Sequence, residues 1–233
     1  MKKLQRRTFR FRKLYIYIYI YIFIYIAYAR GVRRFSAHPI SYFGFAMTNK
    51  IIRVTELLRW AGITKPIPKS AHIKKAMVRG SAVHRYSLAL EEQLEQGDIK
   101  TANQLLQTWP ANLIPYGHAI MQFCSIYKPT YTQREQRITD EELLLTGCPD
   151  RVGSVKGYRA VIDYKTGGEY KWHRLQLALY AILLERQGHV TDIRMDVYLS
   201  KTGAYKQVIH KSNKDILEAW SIIKAYGKEA NDE

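Results

Sequence analysis

At Pro129 the hydrophobic pattern of this chain switches from helical steps to strand alternation, and that switch restricts the possible folds more than any other feature. Upstream of it, apolar residues recur at intervals of three and four. The spacing predicts a short helix over residues 56–61, capped by Thr55 and closed by Gly62. A long helix follows over about 70–96, with a stripe through Ile73, Met77, Gly80, His84, Leu88 and Glu91 and a stop at Gly97. Shorter helices are expected over 101–109 and 116–127, the second started by Pro115. Downstream of Pro129, strand-like runs cover 131–138, 143–148, 151–155 and 158–165. A helix over about 171–187, strands over 193–200 and 204–210 and a last helix over about 213–226 complete the order. Strands interrupted by a helix and then resumed imply an α/β domain with a mixed sheet and helices against it.

The first 46 residues stand apart. Residues 15–28 read YIYIYIYIFIYIAY behind a strongly basic start. Three readings stay open. As a signal anchor, the apolar run over 14–29 falls short of the ~20 residues of a spanning helix. Strict Tyr/Ile alternation suits a strand better. A translated TATATA repeat, upstream of a true start at Met47, yields the same alternation. The expectation is therefore a basic, Tyr/Ile-repeat extension over 1–46, not part of the native protein, and one catalytic domain over 47–233.

Charge is divided in the same way. The net charge of +17 points to a polyanionic partner, but residues 1–46 hold ten of the basic side chains and no acidic one. From Met47 onward 27 basic residues face 20 acidic ones, a moderately basic body. Lys69, Lys74, Lys75, Arg79 and Arg85 give the long helix a basic side that either tracks phosphates or is simply solvated. The two cysteines, Cys124 and Cys148, are too few for a zinc or iron-sulfur site and fit a reducing compartment, the cytoplasm. No phosphate-cradling glycine loop or nucleophile-base pair is present, which disfavours a small-molecule enzyme.

The chemistry-bearing residues lie in Thr146-Gly-Cys-Pro-Asp150 and Ala160-Val-Ile-Asp-Tyr-Lys-Thr-Gly167. Strand alternation sends Asp163 and Lys165 to one face of the second segment and Ile162 and Tyr164 to the other. With Asp150 on a neighbouring strand, two carboxylates converge beside one ammonium. Two hard oxygen donors suit Mg²⁺ or Mn²⁺.

Asp150 followed by Asp163-Tyr-Lys165 resembles the signature of the PD-(D/E)XK nuclease superfamily, and Val-Ile-Asp-Tyr-Lys-Thr-Gly is similar to its RecB-like version. His84, within Arg79-Gly-Ser-Ala-Val-His84, resembles the histidine that such nucleases place on an early helix as a further metal ligand. Gln176-Leu-Ala-Leu-Tyr180 resembles their Gln-x-x-x-Tyr motif, with both side chains on one helix face. His173 shares that face but belongs to no motif. Glu135 occupies the position of a first-strand glutamate in related enzymes. The likeness covers residues 55–180.

The resemblance implies a restriction-endonuclease-like core with a central mixed β-sheet flanked by helices. It also implies metal ligation by His84, Asp150, Asp163 and the Tyr164 carbonyl, with catalytic roles for Asp150, Asp163, Lys165, Gln176, Tyr180 and Glu135. The cofactor would be Mg²⁺ or Mn²⁺ with no iron-sulfur cluster, and the partner DNA, with recombination or replication proteins and an oligomer as further expectations and a membrane not expected. Each piece alone has an ordinary explanation: a packed histidine, a surface ion pair, a turn, helix packing. Their joint occurrence in order carries the reading. The rival is a DNA-binding or structural protein that keeps the fold without cutting, tethered to a membrane by the first 30 residues.

Overall fold

The computed structural model describes residues 50–232 apart from Ile67 and Lys69. The extension over 1–46 and the basic Lys69 lie outside the described residues. The elements run β1 (Ile52–Arg53), α1 (Val54–Trp60), α2 (Ala71–Glu95), α3 (Ile99–Gln107), α4 (Ile114–Tyr127), β2 (Thr130–Arg134), β3 (Ile138–Asp140) and β4 (Leu145–Gly147). They continue with β5 (Arg151–Val155), β6 (Tyr158–Lys165), α5 (His173–Arg186), β7 (Ile193–Leu199), β8 (Tyr205–His210) and α6 (Asn213–Asp232).

Five strands form the central sheet in the order β2-β5-β6-β7-β8. The β6–β7 pair is parallel and the others antiparallel, so the sheet is mixed. A parallel neighbour requires a crossover, and α5 supplies it. The remaining strands make a small sheet, β1-β4-β3. One face of the central sheet, through Ile162, Tyr164, Met195 and Val197, packs on α2, α3 and α4. The other face, through Val152 and Val161, packs on α5, with α1 and α6 beyond it. Helix α5 is covered on nearly every side, which is why residues 177–184 read as a continuous apolar run broken only by Tyr180. Among the described residues no helix is long and apolar enough to cross a membrane.

Some boundaries differ from the sequence reading for local reasons. The run over 131–138 is two strands, because Glu135 adopts φ 49°, which no continuous strand tolerates. Leu144, at φ 51°, likewise shortens the run over 143–148. Helix α1 begins before Thr55, so Thr55 is not its cap; instead the Glu56 carboxylate accepts from the Arg53 N–H at 3.3 Å. Ser70 does cap α2, accepting from the Ile73 N–H. The last helix runs past Tyr226 to Asp232.

Candidate active site

Strand β6 rises through the apolar Ala160, Val161 and Ile162 and ends in the polar residues Asp163 and Lys165. Arg151 pairs with Ile162 across the β5–β6 hairpin, so the next residues outward, Asp150 and Asp163, come opposite each other. The Tyr164 N–H donates to Asp150 Oδ2 at 2.6 Å and pins that carboxylate to the strand carrying Asp163. Tyr164 sends its ring to the other face, where its hydroxyl donates to Glu91 at 2.7 Å.

Two further elements complete a first cluster. From α2, His84 points Nδ1 at Asp150 Oδ1, 3.0 Å away, and at Glu135 Oε1, 3.1 Å away. Glu135 reaches this position through its left-handed backbone, and its own N–H donates to the Asp150 carbonyl at 3.0 Å. A non-glycine residue in that region costs roughly 1–3 kcal/mol and persists where surrounding contacts over-determine it. One ligand-capable atom each of His84, Glu135 and Asp150 lies within 4.8 Å of the others.

The second cluster stands on β6 and α5. Lys165 Nζ contacts the Asp163 carboxylate. It also donates to Gln176 Oε1 at 2.7 Å. The Gln176 amide NH₂ donates to the Tyr180 hydroxyl at 3.0 Å and reaches Asp163 Oδ1 at 3.5 Å. The four-residue spacing on α5 thus places Gln176 and Tyr180 along one line beside Asp163.

Electrostatics bind the two clusters together. Burial alone would lower the His84 pKa, but the Asp150 charge and the hydrogen bonds to Asp150 and Glu135 lift it to about 11. Burial and the neighbouring Asp150 charge push Asp163 up to about 7, against the pull of Lys165. Lys165 is opposed by burial yet held above its ordinary value by Asp163 and Asp196, so it is an ammonium. Two buried carboxylates that resist joint ionisation, beside a third carboxylate and a histidine that becomes a ligand on releasing its proton, are a donor set that fits a divalent cation.

Several participants were not singled out by sequence reasoning. Arg151, with no solvent exposure, donates from Nε to Glu91 at 2.5 Å, from Nη2 to Ser87 at 2.5 Å, and from Nη1 to Glu135 at 3.2 Å and the Asp150 carbonyl at 2.6 Å. Ser87 in turn donates to the His84 carbonyl at 2.8 Å. Glu91 lies on the stripe of the long helix, and its charge on an apolar face was the available signal. Asp196, paired in register with Asp163, is fully buried and accepts from His210 Nε2 at 2.8 Å. A lone carboxylate in the apolar strand β7 marked it. His173, which belongs to no motif, bonds through Nδ1 to the Tyr198 hydroxyl at 2.7 Å. Burial, then the Lys165 charge, lowers its pKa to about 3, so it is neutral.

The family model of the PD-(D/E)XK nuclease superfamily matches residues 56–226. No curated protein matches the chain. Among solved structures, a protein of Eubacterium rectale described as an exonuclease is 12% identical, with a TM-score of 0.45 over 78% of this chain and 80% of that one. An alkaline exonuclease of Laribacter hongkongensis is 13% identical, with a TM-score of 0.41 over 80% of this chain and 90% of that one.

Proposed function

The chain belongs to the PD-(D/E)XK nuclease superfamily, and on that premise we propose that it is a divalent-metal-dependent nuclease hydrolysing phosphodiester bonds in DNA, an exonuclease of recombination, repair or phage replication. The observation that carries the reading is the meeting of His84, Glu135 and Asp150 beside the Asp163, Lys165 and Gln176 cluster at the end of one buried strand.

His84, Asp150, Asp163 and the Tyr164 carbonyl would hold Mg²⁺ or Mn²⁺, with Glu135 close enough to join them. Such an ion supplies electrophilic stabilisation of the charge that develops on the phosphodiester oxygens. The protein's own groups do the positioning. Lys165, held between the Asp163 carboxylate and Gln176, positions or deprotonates the attacking water. Gln176 fixes the Lys165 ammonium through its carbonyl oxygen and Tyr180 through its NH₂, so that the lysine faces the scissile phosphate in one rotamer. Closure of this polar layer under α5 limits water access and strengthens each charge interaction.

Asp163→Ala and Lys165→Ala should each lower the rate of DNA hydrolysis about a hundredfold or more. Circular dichroism and gel filtration should find the fold unchanged. Cleavage by folded Lys165→Ala at the wild-type rate would remove this mechanism.

A further inference from the structure

Past the end of β6, a cleft of about 450 Å³ opens between α2, the start of α4 and the β7–β8 hairpin. Arg79, Tyr116, Thr166, Gly167, Lys201 and Lys206 are among its lining residues, and among the described residues lining it none is acidic. Thr166 follows Lys165 directly, so the cleft begins roughly 4 Å of chain from the proposed catalytic lysine.

Arg79 is set into this cleft rather than left on a solvated helix face. Its Nη2 donates to the Thr166 carbonyl at 3.0 Å, and its guanidinium lies 5.8 Å from the Tyr116 ring centroid. Its Nε is buried without a hydrogen-bond partner among the described residues. It pairs with no carboxylate there, so a full positive charge and most of a planar donor fork are uncommitted. Among the described residues Lys201, at the hairpin turn, is exposed and has no acidic partner, and Lys206 pairs only with the exposed Glu169. The hairpin is braced: Ser200 donates its N–H to the Ala204 carbonyl at 2.9 Å, and a Cβ added to Gly203 would lie 3.6 Å from His118 Cβ.

We propose that this cleft binds a phosphodiester of the DNA strand flanking the scissile bond, with Arg79 as the phosphate clamp and Lys201 at its rim. A cleft of this size takes the backbone of one strand. This rests on the nuclease reading and specifies how the substrate is held. An arginine fork beside a cationic rim meets one phosphate bidentately and the next by charge, whatever the base sequence.

The test is equilibrium anisotropy of a fluorescein-labelled single-stranded oligonucleotide with the full chain in EDTA, which keeps the strand uncut, at several salt concentrations. Lys201→Ala and Arg79→Lys are compared with Lys224→Ala, an exposed lysine on α6 outside the cleft. Lys201→Ala should reduce the slope of log affinity against log salt by about 0.7, the share of one phosphate contact on a single strand. Arg79→Lys should raise Kd about tenfold, from loss of the fork at constant charge. Unchanged Kd and slope, or losses no larger than those of Lys224→Ala, would overturn the proposal. Wild-type protein assayed in parallel for cleavage with Mn²⁺ separates the two failures. Binding through the cleft without cleavage defeats the nuclease reading alone.

Discussion

A guanidinium with no exposure to solvent, as at Arg151, is tolerated only where its charge and donors are met. Glu91 meets the charge, and Ser87, Glu135 and the Asp150 carbonyl take three of the four remaining N–H donors. Removing one partner should therefore cost more than removing both. Glu91→Ala is expected to destabilise the fold by about 3–5 kcal/mol, and Glu91→Leu with Arg151→Met to recover most of that loss. Urea unfolding of the three proteins checks this, and equal stability of the single and double variants would contradict it. A second residue-scale expectation concerns His173. The unfolded chain takes up its proton near the ordinary histidine value, the native state only near pH 3. Between those values the unfolded state binds more protons, so this contribution is complete above about pH 6.5 and is lost as the pH falls toward 3. His173→Asn should flatten the acid limb of a stability-versus-pH profile; an unaltered limb would show that His173 titrates normally.

At the scale of elements, strand β2 sets the Glu135 carboxylate, because that residue leaves the strand in a left-handed turn toward His84. Its pairing with β5 depends on Gly153. A Cβ there would come 2.0 Å from the Thr130 carbonyl oxygen, a backbone clash that no rotamer relieves. Gly153→Ala should cost about 1–3 kcal/mol in thermal unfolding and weaken Mn²⁺ binding measured by calorimetry, through displacement of Glu135. Intact stability with wild-type Mn²⁺ affinity would contradict the dependence. The same region shows where sequence was and was not sufficient. Strand β6 and helix α5 were legible because alternation and an unbroken apolar run are local signals. Alternation put Asp163 and Lys165 on one face of β6, and spacing put Gln176 and Tyr180 on one face of α5; their reading as site residues, with Asp150, came from the resemblance to the nuclease signature. The break at Glu135 was not legible, since its φ of 49° is imposed by contacts with His84, Arg151 and the Asp150 carbonyl, which lie far away in the chain. Nor was the Arg151 network: a guanidinium at the start of a strand reads as exposed until α2 is known to cover it.

Over the whole domain, the sheet divides labour between its faces. One face, against α2 to α4, is an apolar core holding the buried Glu91 and Arg151; the other, under α5, carries Asp163, Lys165, Asp196 and Tyr198, which meets His173 of α5, in a hydrogen-bonded polar layer. A moderately basic body with Glu135, Asp150 and Asp163 gathered at one strand end favours a polyanion that arrives together with a cation. The most direct measurement of metal-dependent cleavage is the product ladder from end-labelled single- and double-stranded DNA incubated with the full chain and Mg²⁺, Mn²⁺ or EDTA. Shortening of the label-bearing strand with either metal, abolished by EDTA, is the predicted result. Equal cleavage in EDTA, or intact DNA with both metals in the presence of folded, DNA-binding protein, would contradict it.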